Sequence, residues 1–201
     1  MGFYLGIDLG TSYFKAGIFD EQGTLAGLGR CFVDKQTDDG GICELPIADF
    51  WTTLRNTVNL AIEKAEINPN ELVAVSYSSQ ANSFVLLDET DHPLTPLILW
   101  PDIRVGRIPS ALQSLLENRN FLKKTGLGIL PGLQSMAAKI VWIQENRPEI
   151  WEKASGIASI SDYLTFSLTG QKVSDFSTSS MTGLFDVSEE KWWDEALETL
   201  N

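Results

Sequence analysis

Three apolar segments follow one another at the start of the chain, with only short turns between them. The segments are Phe3 to Asp8, Phe14 to Phe19 and Leu25 to Val33. The turn Asp20-Glu21-Gln22-Gly23 has an acid first and a glycine last, as in a type I turn between hairpin strands. Because turns this short join neighbouring antiparallel strands, the sequence predicts that the fold opens with an antiparallel three-strand meander.

The next part of the chain alternates between helix and strand patterns. Residues 34–46, rich in Asp and Gly, predict an irregular loop. Apolar residues then recur at three- and four-residue steps from Ile47 to Ala65, which predicts a helix. Glu71 to Ser78 is an unbroken apolar and β-branched run, typical of a central strand. Phe84 to Asp88 and Leu94 to Trp100, separated by a turn, predict a hairpin.

Beyond Val105 the pattern is mostly helical. Helices are predicted over Ile108 to Leu122, Ser135 to Asn146 and Ile160 to Leu168, the last stopping at Thr169-Gly170. A loop is predicted over Gly126 to Gly132, and a short amphipathic helix runs from Trp192 to Leu200. The chain ends directly after that apolar helix face, which is typical of a fragment.

Composition excludes several classes of function. The net charge of −12 and the pI near 4.4 disfavour nonspecific binding to nucleic acid. Cys31 and Cys43 are too few for a disulfide framework and lack metal-type spacing. The single histidine, His92, lies in a turn sequence, so Ser-His-Asp hydrolysis is disfavoured. No leader pattern and no apolar run of about 18 residues is present, so we expect a cytoplasmic protein.

The turn between the first two strands combines groups that suit a phosphate. Gly10 allows the backbone to approach a ligand, and successive N–H groups can form an anion-binding concavity. Thr11 and Ser12 add hydroxyl donors, and Lys15 adds a positive charge. Asp8 cannot bind phosphate directly, but it suits Mg²⁺, which prefers one or two carboxylates plus phosphate oxygens. A β-hairpin with a polar tip would have the same composition, so both interpretations stay open.

Two later segments suit a ligand with many hydroxyl groups. Ser78 to Ser83 is a run of small and amide residues after a strand. Trp100 to Arg104 brings together an aromatic ring, an acid and a cation. Aromatic faces pack on the C–H surfaces of sugars, while carboxylate and guanidinium groups bond hydroxyls. A plain loop and a structural Asp–Arg pair beside a core tryptophan are the alternatives.

These segments, taken in order, resemble one family. Gly6 to Ser12 with Lys15 resembles the first phosphate motif of the actin-like, ribonuclease-H-like ATPase fold. The later segments resemble FGGY carbohydrate kinases, most of all the xylulokinase and gluconokinase branches: Val75 to Gln80, Phe84 to Asp88, Pro93 to Trp100, Asp102 to Arg104, Lys139 to Trp142 and Thr182 to Asp186. The resemblance implies an α/β actin-like domain with a mixed sheet that opens with the meander and is flanked by helices.

The resemblance also implies an activity and a set of site residues. In this family a hydroxyl of a sugar, sugar acid or polyol attacks the γ-phosphoryl group of ATP in the presence of Mg²⁺. The implied phosphate- or ATP-binding residues are Asp8, Gly10, Thr11, Ser12 and Lys15, with Asp8 also serving the metal. The implied substrate-binding residues are Gln80, Asn82, Trp100, Asp102 and Arg104. A homodimer of the full-length enzyme is compatible with the resemblance.

The sequence departs from the family pattern at the predicted sugar site. Xylulokinases usually carry Gly-Gln-Met-His-Gly where this chain has Ser79-Gln80-Ala81-Asn82-Ser83. Glycerol kinases carry Arg and Glu where Ala81 and Asn82 stand, and Pro101 replaces a usual Asn. The sequence therefore fixes neither xylulose nor glycerol as the substrate.

Family members are more than twice as long as this chain. The resemblance therefore implies that residues 1–201 are the N-terminal sugar-binding domain, without the ATP-binding domain. It places the catalytic base, an Asp, after residue 201, so no catalytic residue is expected in this chain and the chain alone should be inactive. A non-catalytic sugar-binding or regulatory module is the alternative. A ribonuclease-H-like nuclease would need converging acids and a basic groove, which the net charge disfavours.

Overall fold

The computed structural model describes residues 2–127 and 132–200, and the chain divides into two compact units. The first unit comprises Met1–Lys35 and Leu45–Gln80, and the second comprises Gln36–Glu44 and Ala81–Asn201. The single N-terminal domain expected from the sequence stays a prediction. No helix among the described residues is long and apolar enough to cross a membrane.

The secondary structure is mixed throughout. The strands are β1 (Phe3–Leu9), β2 (Tyr13–Phe19), β3 (Leu25–Phe32), β4 (Gln36–Thr37), β5 (Cys43–Leu45), β6 (Leu72–Ser79), β7 (Phe84–Leu87), β8 (Leu97–Ile98), β9 (Gly156–Ser159), β10 (Phe185–Asp186) and β11 (Lys191–Trp192). The helices are α1 (Ile47–Ala65), α2 (Ser110–Leu116), α3 (Phe121–Thr125), α4 (Met136–Asn146), α5 (Pro148–Trp151), α6 (Ile160–Thr169), α7 (Phe176–Ser180) and α8 (Asp194–Leu200), and a 3₁₀ turn spans Pro69–Glu71.

The first unit contains a four-stranded sheet in the order β3-β2-β1-β6. Strand β2 is antiparallel to both β1 and β3, whereas β6 runs parallel to β1. The predicted antiparallel meander and the mixed sheet are therefore confirmed. The register pairs Asp8 with Lys15 across β1 and β2, which places the candidate carboxylate and cation side by side.

Helix α1 lies close against β3 because two glycines leave room for it. A Cβ atom on Gly29 would lie 1.9 Å from the carbonyl oxygen of Thr57, and one on Gly27 would lie 2.3 Å from that of Ala61. Only glycine allows so close an approach between two backbones. The helix buries Phe50, among others, and its bounds confirm the prediction.

The prediction that Glu71 to Ser78 forms a central strand is wrong. Within the described residues, β6 is the edge strand of its sheet, and the side chains of Val73 and Val75 are exposed. The physical reason is that a β-branched sequence reports a preference for extended backbone and not the number of neighbouring strands.

The second unit contains a five-stranded sheet in the order β4-β5-β8-β7-β9. The predicted loop over residues 34–46 is wrong in part, because β4 and β5 form a short antiparallel hairpin within it. Asp38 holds its turn by accepting a hydrogen bond from the Ile42 N–H. Two- and three-residue strands are too short to show a hydrophobic period, so the sequence pattern missed them. The predicted β7–β8 hairpin is confirmed, with His92 exposed in its turn.

The helical prediction is confirmed in part. The single helix predicted over Ile108 to Leu122 is instead α2 and α3, because the Asn118 side chain accepts a hydrogen bond from the Asn120 N–H and forms a turn between them. Helix α4 begins after Ser135, which caps it, and α6 ends at Gly170 as predicted. Trp192 belongs to β11 and not to the last helix. Residues 128–131 of the predicted Gly126 to Gly132 loop lie outside the described residues.

Helix α4 packs on the β7–β8 hairpin and fixes the position of the second unit's polar residues. Met136, Ile140 and Ile143 on the helix form one buried apolar cluster with Phe84, Leu86 and Ile98 on the strands. A second cluster joins α4 to α2, α3 and α8, and includes Phe121 and Trp193. These clusters hold the start of α4 beside residues 82–84 and 98–100.

Candidate functional site

The turn between β1 and β2 is held in place through its carbonyl groups. The carbonyl of Leu9 accepts the Gln80 N–H at 3.2 Å, and that of Ser12 accepts the Val33 N–H at 3.0 Å. Between them, the Gly10 carbonyl accepts the Gln80 side-chain amide at 3.5 Å and the Thr11 carbonyl accepts Lys35 Nζ at 3.3 Å. Four successive carbonyls therefore fix the conformation of this turn.

Gly10 is required in this turn because of its contact with the strand that follows. A Cβ atom at this position would lie 2.7 Å from the carbonyl oxygen of Tyr13 and 3.8 Å from Asp8 Oδ2. The first distance is shorter than any ordinary contact, so a larger residue would displace the turn. This contact lies within the protein, so the approach of a ligand to Gly10 that the sequence suggested stays a prediction.

Asp8 and Lys15 form an accessible ion pair beside the turn. Lys15 Nζ lies 2.8 Å from Asp8 Oδ2, and both side chains are about half-exposed. Exposed pairs of this kind contribute only about 0–1 kcal/mol to stability. Either group can therefore exchange its partner for a ligand at low cost.

The Asp8 carboxylate fits a magnesium ion that is held mainly by phosphate and water. Mg²⁺ commonly uses one or two carboxylates and takes its remaining ligands from phosphate oxygens and water. Among the described residues there is no cluster of three or more His, Cys, Asp or Glu side chains that could enclose a metal ion. A single accessible carboxylate suits the shared type of site.

Gln80 lies in the first unit, beside the β1–β2 turn. Its side-chain oxygen accepts a hydrogen bond from the Thr11 hydroxyl at 3.3 Å. The structure thus brings this predicted substrate-binding residue together with the predicted phosphate-binding residues. The other predicted substrate-binding residues belong to the second unit.

Asp102 is completely buried in the second unit, and N–H groups surround its carboxylate. The Cys43 N–H donates to it at 2.7 Å, and the Arg104 main-chain N–H donates at 3.1 Å. The Arg104 guanidinium adds two further bonds, from Nε at 2.9 Å and from Nη2 at 2.7 Å. In this arrangement the carboxylate joins β5 to the segment that follows Trp100, and it does not face solvent. The direct sugar contact expected of Asp102 stays a prediction.

Arg104 joins Asp102 to a second carboxylate, that of Glu44. Arg104 Nη2 donates to Glu44 Oε1 at 2.6 Å. Burial alone would lower the pKa of Arg104, but the hydrogen bonds to the two carboxylates outweigh burial and raise it. The sequence offered no sign of Glu44, since it lies in the missed hairpin, far along the chain from Arg104.

Asn82 and Trp100 are the predicted substrate-binding residues of the second unit that remain accessible. Trp100 is exposed, and its main-chain N–H donates to the Ser83 hydroxyl at 2.9 Å. Asn82 is half-buried and has a left-handed backbone conformation, with φ of 57°. Its side-chain oxygen accepts the Met136 N–H at 3.4 Å. An exposed indole and a nearby amide can together pack on and bond a sugar.

Lys139 is a buried charged residue to which the sequence argument gave no role. It lies on α4, is fully buried, and donates from Nζ to the carbonyls of Asn82 at 3.1 Å and Leu99 at 3.0 Å. Burial lowers the pKa of Lys139 to about 8, although the negative charge of Asp102 acts to raise it. The available signal was a charged residue within the apolar run that spans residues 136–143 of α4.

A cavity of about 750 Å³ in the second unit does not coincide with these residues. Its walls come from β9, α6 and the segment before α7, and they include Trp151, Phe166 and Trp192. Asn82, Trp100, Asp102 and Arg104 are not among its lining residues.

The known proteins to which this chain is similar are carbohydrate kinases of one family. The chain matches the FGGY family of carbohydrate kinases, N-terminal domain, over residues 3–201. It is 32% identical to a xylulose kinase of Lactococcus lactis, a match that covers 100% of this chain and 40% of that protein. It is 31% identical to a gluconokinase of Bacillus subtilis over 97% of this chain and 37% of that protein.

A solved structure shows the same fold. A xyloylose kinase from Brucella ovis superposes with a TM-score of 0.86 at 29% identity, over 99% of this chain and 41% of that one. This chain thus spans about 40% of the length of the curated relatives it matches. The matched fold agrees with the predicted actin-like α/β architecture. Together with the family match over nearly the whole sequence, it shows that the chain belongs to the FGGY family of carbohydrate kinases.

Proposed function

We propose that the protein containing this chain transfers the γ-phosphoryl group of ATP to a hydroxyl group of a sugar, sugar acid or polyol. This chain would supply sugar-binding residues and part of the phosphate site. The observation that carries the proposal is the β1–β2 turn, where a required glycine and an accessible Asp8–Lys15 pair occur in an FGGY-family chain.

The first unit would act on the phosphate groups of ATP. Phosphoryl transfer depends mostly on positioning and on neutralising charge, because the protein takes little part in covalent chemistry. Lys15 and the hydroxyls of Thr11 and Ser12 would contact phosphate oxygens, and Asp8 would hold Mg²⁺. When bound, the metal would neutralise phosphate charge. Gln80, bonded to Thr11, would keep one predicted substrate-binding residue beside this turn.

The second unit would bind the sugar. The exposed Trp100 ring would pack on the sugar C–H surface, and the Asn82 amide would bond hydroxyl groups. The buried bonds of Asp102 and Arg104 favour a role in positioning Trp100 over direct contact with the sugar. The base that accepts the substrate proton would lie in the part of the kinase that this chain does not span.

The test is ADP release by the full-length protein with a panel of pentuloses, hexuloses, polyols and gluconate. We expect one class of compound to give turnover that depends on added Mg²⁺, and residues 1–201 alone to remain near background. A folded full-length protein that binds a panel sugar but releases no ADP would overturn the proposal in favour of a sugar-binding module. Robust turnover by residues 1–201 alone would contradict the division of labour proposed for this chain.

A further inference from the structure

Burying a charged lysine is unfavourable unless other interactions compensate. At Lys139 two hydrogen bonds from Nζ provide that compensation. Moving an ammonium group out of water is costly unless new hydrogen bonds or charges compensate. A methionine would fill a similar volume on the buried face of α4 without that cost. What the ammonium adds is its pair of bonds to the carbonyls of Asn82 and Leu99, and its position 5.8 Å from the Phe84 ring centre.

These two carbonyls lie at the two segments that carry the accessible sugar-site candidates. Asn82 is itself one candidate, and Leu99 directly precedes the other, Trp100. Because one Nζ atom bonds both carbonyls, Lys139 fixes the distance between the two segments. Met136, one turn earlier on α4, also donates its N–H to the Asn82 side chain. Helix α4 therefore holds Asn82 through both its main chain and its side chain.

The other contacts of these segments make the position of Trp100 depend on Lys139. The Trp100 N–H is bonded to Ser83, the residue after Asn82. On its other side, Asp102 is fixed by the Cys43 N–H and Arg104. Trp100 thus lies between two anchored residues, Leu99 and Asp102. Leu99 also donates its N–H to the Cys43 carbonyl at 2.9 Å, and its carbonyl accepts the Asp102 N–H at 3.0 Å. Loss of the Lys139 bonds would therefore remove the tie between Leu99 and Asn82, while these bonds and the apolar packing of α4 would remain.

We propose that Lys139 is a positioning residue for the sugar site, because its ammonium group ties the Asn82 and Leu99 carbonyls together and so sets the relative positions of the Asn82 amide and the Trp100 ring. The inference rests on the proposed function for its kinetic consequence. The contact itself is a separate claim that can be tested without any activity.

The kinetic test uses Lys139→Met and Lys139→Arg in the full-length protein, with D-xylulose, D-gluconate and glycerol as the probes. Lys64→Met is the matched control, since Lys64 Nζ also donates to a carbonyl, that of Leu28, in the first unit. We expect Lys139→Met to raise the sugar KM about tenfold or more, because the Asn82 carbonyl loses its bond to Nζ and the Leu99 carbonyl keeps only the Asp102 N–H. The kcat and the KM for ATP should change far less. Lys139→Arg keeps N–H donors and should recover part of the sugar KM, and Lys64→Met should leave all three constants unchanged.

The second arm measures amide hydrogen exchange in the same full-length variants. We expect the Trp100 and Met136 amides to exchange faster in Lys139→Met, while the β1, β2 and β3 amides keep their protection. If Lys139→Met does not fold, the same comparison is made with Lys139→Arg, for which a smaller change in the same amides is expected. Unchanged exchange at Trp100 and Met136 in a folded variant, or a loss of kcat with no change in sugar KM, would overturn the inference. Absence of turnover by the unmodified protein would overturn the proposed function instead, and the exchange measurement would still decide the role of Lys139.

Discussion

Two ion pairs of similar length have opposite surroundings in this molecule. Lys15 and Asp8 approach to 2.8 Å with side chains 48% and 44% exposed. Arg104 and Asp102 approach to 2.7 Å with side chains 9% and 0% exposed. The first pair lies beside the turn to which we assign the phosphate groups in the proposed function. The second lies in the segment after Trp100 and is bonded to the β4–β5 hairpin.

Burial, more than distance, distinguishes an ion pair that a ligand can open from one that stabilises the fold. An exposed pair contributes little to stability, so it can open for a ligand. A buried pair is different, because removal of one partner leaves the other charge without compensation. We therefore expect the Asp8 pair to matter for activity and the Asp102 pair to matter first for stability.

The largest effect should come from Asp102→Ala. This substitution leaves the buried Arg104 guanidinium with one of its two carboxylates, and should lower the free energy of unfolding by about 3–5 kcal/mol. Urea unfolding followed by circular dichroism measures the change. Asp102→Asn, which keeps two hydrogen-bonding atoms, should cost less. A loss below about 1 kcal/mol for Asp102→Ala would contradict a structural role, since that is the range of exposed pairs.

The next effect is a dependence of stability on pH that arises from Lys139. Its pKa is about 8 in the folded chain, below its ordinary value of 10.5. Below pH 8 the lysine is charged in both states, so folding bears the full cost of burying that charge. Between pH 8 and 10.5 the folded state releases its proton first, so stability rises through this window.

The free energy of unfolding should therefore rise by about 3 kcal/mol across the window, relative to that of Lys139→Met measured in parallel. The Met variant cancels the contributions of groups that titrate independently of Lys139. Parallel curves for the two proteins between pH 8 and 10.5 would show that Lys139 does not titrate in that range.

A smaller loss of stability is expected when a side chain is added to Gly10 in the β1–β2 turn. Gly10→Ala places a Cβ atom 2.7 Å from the Tyr13 carbonyl oxygen, so the turn must shift. Such overpacking costs about 1–3 kcal/mol, measurable by the same unfolding experiment. Gly156→Ala is the control, because nothing lies within 4 Å of its added Cβ. Equal stability of the two variants would mean that the turn tolerates a side chain.

The smallest effect on stability should come from Asp8→Ala. The exposed carboxylate has one ion-pair partner, so its loss should change the free energy of unfolding by about 0–1 kcal/mol. Lys15→Ala should behave in the same way. A loss of stability as large as that of Asp102→Ala would show that the exposed pair also stabilises the fold, which would contradict the difference between the two pairs.

The sequence predicted the features that depend on local patterns. The three-strand meander, the bounds of α1, the approximate range of α4 and the glycine stop of α6 all follow from apolar spacing and turn residues. The motif at Asp8 to Lys15 was also visible, because its residues are close in sequence.

The features that the sequence missed depend on contacts between distant segments. The edge position of β6 is set by its neighbours in the sheet, and strands β4 and β5 are too short to show a period. The bonds of Arg104 to Glu44 and of Lys139 to Asn82 and Leu99 join residues about 40 to 60 positions apart. No spacing rule within a segment can reveal such pairs.

The role of the exposed pair is decided by the kcat of Asp8→Ala in the full-length protein. Stability and affinity for the panel sugar with the highest turnover are measured on the same variant. We expect kcat to fall by about a hundredfold or more, as when other charge-stabilising groups are removed from an active site. Stability and sugar affinity should stay close to those of the unmodified protein. An unchanged kcat would contradict the claim that this exposed pair acts on the phosphate groups of ATP.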